Sequence, residues 1–163
     1  MPTLKERLIK SMKNTFGDDR KRISHALSVL AYAEELHGIE GGDRDVVTAA
    51  AVLHDIGIHE AERKYGSTAG KYQEIEGPPI ARRIMEELGL GEELIFHVCR
   101  IVGSHHTGRD IDTIEFRILW DSDWLVNMPD EFPNASAEKL RSLFERIFRT
   151  ESGKTKAYEL FAS

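Results

Sequence analysis

The sequence predicts an all-α protein, a compact multi-helix bundle. Apolar residues recur at helical spacing through nearly the whole chain, and the period-two alternation of half-buried strands is missing. Acids and serines that can cap a first helical turn alternate with glycines that can end a last one. One stretch, Ala49-Ala50-Ala51-Val52-Leu53-His54-Asp55-Ile56-Gly57, is an apolar, helix-favouring run that ends in a His-Asp pair.

Taken in order, Leu4, Leu8, Ile9 and Met12 mark a first amphipathic helix over about residues 3–14. Asp18 or Asp19 can cap a long second helix, about 20–37, which Gly38 stops. Gly41-Gly42-Asp43 is a turn; Asp43 caps a third helix, about 44–56, and Gly57 closes it. From Ile58 to Lys71 the pattern degrades into a short helical turn and a glycine-flanked loop. The next helix covers about 73–88. Its Pro78-Pro79 pair suits only a first turn, so the helix begins or kinks near Gly77. Gly91 opens a helix of about 92–104, and Asp112 caps another of about 113–128, ended by Pro129. Ser136 caps about 137–149, and a tail bearing Tyr158, Leu160 and Phe161 follows Gly153.

At 163 residues the chain is expected to form one domain, with a core of about 20–128 on which helices of 136–163 pack. A hydrophobic fraction of 40% and a charged fraction of 31% suit a soluble protein, and no apolar run is long enough to span a membrane. The opening Met1–Arg7 reads as amphipathic helix, not secretory signal. A lone cysteine, Cys99, rules out an internal disulfide and suits the cytoplasm. The net charge of −6 argues against nucleic-acid binding.

Polar residues interrupt the apolar stripes at four places. His25 shares a stripe with Val29, Tyr32 and Leu36, and His54 continues Val47, Ala50 and Ala51. His105 and His106 extend the stripes of Leu94, Val98, Ile101 and of Ile95, Cys99, Val102; Asp123 follows Phe116, Leu119 and Trp120. Any one of these histidines alone reads as a core imidazole bonded to a carbonyl. Asp123 alone reads equally well as a solvated or capping acid. Together, two acids and several histidines turned to one core need a common partner, because buried acids are rare unless paired. A divalent metal ion would supply the charge.

The ordered set His25, His54-Asp55 and Asp123, the last within Leu119-Trp120-Asp121-Ser122-Asp123-Trp124-Leu125, resembles the HD-domain superfamily of metal-dependent phosphohydrolases. That resemblance implies an all-α bundle of HD-domain type in which His25, His54, Asp55 and Asp123 bind one ion. It makes His105 and His106 ligands of a second ion bridged by Asp55. A histidine of the dinuclear branch is replaced near Gln73, Glu74 and Glu76, and Glu76 is the candidate substitute ligand. The implied function is hydrolysis of a small phosphomonoester or phosphodiester, a nucleotide included, by metal-activated water. Asp55 would orient the water, Arg22 would bind phosphate and His59 would serve as acid or phosphate ligand. Asp121 is expected at the helix surface or behind the ligands. One or two ions are implied, of manganese, iron, nickel, cobalt or zinc. The alternatives are a di-iron oxygenase of the same superfamily and a catalytically silent metal-containing ligand-binding module. The partner expected is a small phosphorylated substrate. The apolar tail either seals the core or meets a second subunit as a homodimer.

Overall fold

The computed structural model describes residues 1–162; among these, nine α-helices form and no strand. They are α1 (Leu4–Phe16), α2 (Arg20–Glu40), α3 (Arg44–Leu53), α4 (Ile58–Tyr65), α5 (Gly70–Glu87), α6 (Glu92–Val102), α7 (Ile114–Glu131), α8 (Ala137–Ile147) and α9 (Glu151–Phe161). The bundle is built around α3. All residues from Val46 to Leu53 are buried, and α1, α2, α6 and α7 pack around them. Ala49, Ala50 and Ala51 let these neighbours approach closely, so a ten-residue helix becomes the axis of the core. No helix among the described residues is long and apolar enough to cross a membrane.

Several boundaries differ from the sequence expectation, each for a local reason. The second helix passes through Gly38 and ends at Gly41, whose φ of 84° and N–H bond to the His37 carbonyl close it. A mid-helix glycine costs only about 1 kcal/mol, and the added turn carries Glu40 to where it accepts from the Ser152 N–H at 3.1 Å. The third helix stops at Leu53, three residues early. His54–Gly57 instead forms a tight turn, held by Ile56 N–H to Leu53 O at 3.1 Å and Ile58 N–H to Asp55 O at 3.1 Å. The short helical turn expected after Gly57 is α4. The next helix begins at Gly70 and carries Pro78 and Pro79 in its interior. Packing between α4 and α6 holds it there, and the Cys99 thiol donates to the Pro78 carbonyl at 3.6 Å. Thr113, not Asp112, caps α7, because Asp112 is engaged by Arg117; the helix continues past Pro129 to Glu131.

The C-terminal helices are pinned by an acid. Asp121 is fully buried and accepts from the N–H groups of Arg149 and Thr150, both at 2.8 Å, and from the Thr150 hydroxyl at 2.6 Å. Burial pushes its carboxyl up to about 6 despite these bonds. It is therefore not a helix-surface residue; it ties α7 to the start of α9. The apolar tail also turns inward, Tyr158 and Phe161 lying 5.1 and 6.2 Å from the Phe144 ring, while Leu160 stays exposed.

Gly57 marks the tightest backbone crossing. A Cβ there would lie 2.5 Å from the Gly77 nitrogen and 2.7 Å from its Cα. Neither atom belongs to a side chain that can swing away. Gly57→Ala is therefore expected to destabilise the fold by about 2 kcal/mol or more through forced separation of the His54–Gly57 turn from α5. Urea unfolding measures this; wild-type stability in the variant would contradict it.

Candidate metal centre

Four elements deliver ligand-type side chains to one point. His25 comes from the second turn of α2, His54 and Asp55 from the turn after α3, and Asp123 from the middle of α7. The turn after α6 adds His105 and His106. His25 Nε2 lies 3.0 Å from Asp123 Oδ1, 3.2 Å from His54 Nε2 and 3.3 Å from Asp55 Oδ2. His54 Nε2 is 3.3 Å from Asp55 Oδ2 and 3.4 Å from Asp123 Oδ1. On its other oxygen Asp55 meets His105 Nε2 at 3.2 Å. Two overlapping donor groups result, His25–His54–Asp55 and Asp55–His105–His106, with Asp55 common to both.

Backbone carbonyls set the imidazole tautomers. His54 Nδ1 donates to Ala51 O at 2.8 Å, and His105 Nδ1 donates to Val102 O at 2.7 Å. A carbonyl only accepts, so each Nδ1 carries a hydrogen and each Nε2 can offer its lone pair to the cluster. His106 is held differently. The Gln73 amide nitrogen donates to Thr68 O at 2.6 Å, which turns the amide oxygen toward His106 Nε2 at 2.9 Å. Glu74 accepts from the N–H groups of His106 and Thr107 and from the Thr107 hydroxyl, fixing the turn that carries both histidines. Gly70 lies against the His106 ring, where a Cβ would be 2.7 Å from Cγ.

The electrostatics are those of a site that seeks positive charge. Burial resists ionisation of Asp55, but His54 and His105 outweigh it and hold the carboxyl well below the ordinary range. Burial likewise opposes ionisation of Asp123, and His54 and His25 overcome it. Burial disfavours a charged His54, yet the two carboxylates hold its pKa well above normal. His106 moves the other way, down to about 4, through burial and the neighbouring His105. Without a metal, a proton between two buried carboxylates supplies the missing cation. A divalent ion fits the same place. Donors about 2.1 Å from an ion sit roughly 3 to 3.4 Å apart in octahedral or tetrahedral arrangement. That is the spacing of the His25 and His54 Nε2 atoms from each other and from the Asp55 and Asp123 oxygens, although Asp123 lies outside the tight group His25–His54–Asp55.

A cavity of about 300 Å³ opens on the cluster and is lined by Arg22, His25, Asp55, Gln73, His106, Asp123 and Asn127, among others. Arg22 is thus at the site, as expected. His59 and Glu76 are not. His59 Nε2 pairs with Asp19 Oδ2 at 2.8 Å and lies edge-on to Phe16, because Ile58, not His59, faces the cavity. Glu76 accepts from Lys64 Nζ at 3.0 Å and from the Tyr65 hydroxyl at 2.8 Å, which turn its carboxylate away from the histidines. One turn earlier on α5, Gln73 is the residue that reaches His106. Asn127 is the other addition; its amide donates to Asp123 Oδ1 at 3.1 Å. Its position four residues after Asp123 on one helix face was a legible signal.

Residues 22–128, well over half of the chain, match the family described as HD domain. The chain belongs to the HD-domain family. The dyad of this HD domain is His54-Asp55, presented on a turn. Over 82 residues, 48% of the chain, it is 34% identical to a deoxyguanosinetriphosphate triphosphohydrolase-like protein of Bifidobacterium longum (strain NCC 2705), and it spans 17% of that relative's length. The crystal structure of a predicted HD superfamily hydrolase from an uncultured Thermotogales bacterium superposes with a TM-score of 0.70 at 24% identity, over 99% of this chain and 86% of that one. This second likeness shows the fold.

The centre predicts a definite response to metal. Manganese or zinc added to the metal-free protein should raise its unfolding temperature by mass action, and Asp55→Ala should abolish the rise. Asp121→Ala should lower stability by about 3 kcal/mol through loss of the α9 anchor, yet keep the metal response. Because His54 binds its proton more tightly than a free imidazole, an entering ion displaces that proton, and affinity should strengthen as pH rises through the raised pKa. Calorimetry in buffers of different protonation enthalpy reads the released proton; pH-independent affinity would contradict the account.

Proposed function

We propose that this chain is a metal-dependent phosphohydrolase acting on a small phosphate ester, a nucleotide included. The observation that carries the reading is the largely buried set His25, His54, Asp55 and Asp123 opening onto a cavity that also holds Arg22. Membership in the HD-domain family and the likeness to a triphosphohydrolase-like protein support it.

In this reading those four residues hold a divalent ion. The ion supplies Lewis acidity, which acidifies water and neutralises charge on phosphoryl oxygens. The side chains do the rest. Arg22 offers the planar, bidentate donor set suited to phosphate and orients the ester. Asp55, whose Oδ1 faces His105 Nε2 at 3.2 Å, accepts a hydrogen bond from the attacking water and directs its lone pair at phosphorus. Asn127 keeps Asp123 in register, and Gln73 fixes the His106 ring at the cavity wall. A second reading draws on the Asp55–His105–His106 group. A second iron held there, sharing Asp55 with one held by His25, His54 and Asp123, would suit oxidative cleavage, and oxygen consumption by iron-loaded protein would favour it.

The test is phosphate release from a panel of phosphomonoesters, phosphodiesters and nucleotides by protein loaded with manganese, nickel, cobalt or zinc. Hydrolysis should stop on chelation and return on metal addition. Asp55→Ala should lower kcat by roughly a hundredfold or more, and Arg22→Ala should act mainly by raising KM, by about tenfold. Hydrolysis that survives both chelation and Asp55→Ala would refute the proposal.

A further inference from the structure

The same spacing of carboxylate and arginine is closed at one place in this chain and open at another. Glu60 and Arg63, three residues apart on α4, form a two-point ion pair through Nε and one terminal guanidinium nitrogen. Asp19 and Arg22 stand at that spacing at the start of α2. Yet among the described residues no N–O pair within 4.0 Å joins the Arg22 guanidinium to any carboxylate. What differs is the occupancy of the acid. Asp19 caps α2: Oδ1 accepts the Arg22 main-chain N–H at 3.3 Å, and Oδ2 accepts from His59 Nε2 at 2.8 Å. Phe16, buried and edge-on to the imidazole with ring centroids 5.3 Å apart, backs His59 in that position. The His59 bond, ahead of every other contact, holds the Asp19 carboxyl below its ordinary range, so it stays charged. Arg22 lowers it further, which places the guanidinium within electrostatic reach of the acid. An arginine fork takes both oxygens of a carboxylate at once. With each oxygen already holding a donor, that pairing is closed to Arg22.

From this arrangement we infer that His59 is a positioning residue for Arg22: by occupying Asp19 it leaves the guanidinium directed at the cavity. This role rests on the phosphohydrolase reading, in which Arg22 binds phosphate, and deepens it. Arg22 lines the cavity and His59 does not; its neighbour Ile58 does. His59 therefore touches neither ester nor ion and acts only through Asp19. The His59 and Asp19 side chains are 40% and 33% exposed, so their pairing contributes little to stability. Its consequence is the choice of partner left to Arg22. Without His59, Asp19 Oδ2 is open, and the arginine divides its time between that acid and the phosphate.

The experiment measures inorganic phosphate binding to manganese-loaded protein by calorimetry, together with kcat and KM for a phosphate ester that the wild type hydrolyses. His59→Ala should weaken phosphate binding and raise KM by about threefold, the size of one exposed ion pair, with kcat and manganese affinity unchanged. His59→Gln, whose amide nitrogen can serve the same Asp19 oxygen, should remain close to wild type. Adding Asp19→Asn to His59→Ala removes the charge that captures Arg22 and keeps a helix cap, so phosphate affinity should return to the wild-type value. In an Arg22→Ala background, His59→Ala should change phosphate affinity no further. Unchanged phosphate affinity in His59→Ala, or a loss that persists when Asp19→Asn is added, overturns the inference; a purely structural role would give the second result. Phosphate affinity that follows this pattern in a protein that hydrolyses no ester supports the role of His59 and refutes the phosphohydrolase reading. Hydrolysis with a KM indifferent to His59 refutes the inference alone.

Discussion

Two carboxylates in a protein core impose a condition that the rest of this molecule meets. Asp55 and Asp123 are largely removed from water, where an unpaired carboxylate is costly. Their oxygens face imidazoles at 3.0 to 3.4 Å, and each imidazole whose second nitrogen is accounted for donates to a main-chain carbonyl. Nothing in that set is strongly positive at rest except a proton on His54. The arrangement makes physical sense when a cation occupies the point where the side chains meet.

Much of the fold can be read as support for that point. The small residues of α3 allow four helices to converge, and the abrupt end of α3 at Leu53 turns both His54 and Asp55 inward. Gly57 and Gly77 bring the turn against the backbone of α5, and α5 in turn sends Gln73 and Glu74 to the turn that carries His105 and His106. Two prolines persist inside α5 because that helix is held from both sides. On the far side of α7, Asp121 performs an unrelated task two residues from Asp123: it anchors α9. Two acids separated by one residue on one helix thus meet different partners, Asp123 the histidine cluster and Asp121 the start of α9, according to the face each occupies.

The fold class, and the convergence of these side chains on one point, were legible because both rest on periodicity. A histidine or acid that continues an apolar stripe is expected to point inward, and His25, His54, His105 and Asp123 do; His106, which continues Ile95, Cys99 and Val102, is instead exposed beside the cluster. What could not be read was what each polar side chain pairs with across the bundle. His59 follows the dyad so closely that a site role was reasonable, but the turn points it at Asp19. Glu76 has the right chemistry for a ligand and lies one helical turn too far along α5, where Lys64 and Tyr65 take it. Proline and glycine do not act as breakers here: Gly38, Pro78, Pro79 and Pro129 all lie inside helices whose tertiary packing outweighs the local cost. Thr113 and Asp112 compete for one cap, and only the position of Arg117 decides between them.

The central claim is that a cation belongs among these side chains. Anomalous diffraction from crystals grown with a transition metal, recorded on both sides of its absorption edge, tests it most directly. The account predicts a strong peak within coordination distance of His25, His54, Asp55 and Asp123, and loss of that peak in Asp55→Ala. Metal-replete crystals with only solvent density between those four side chains would contradict it.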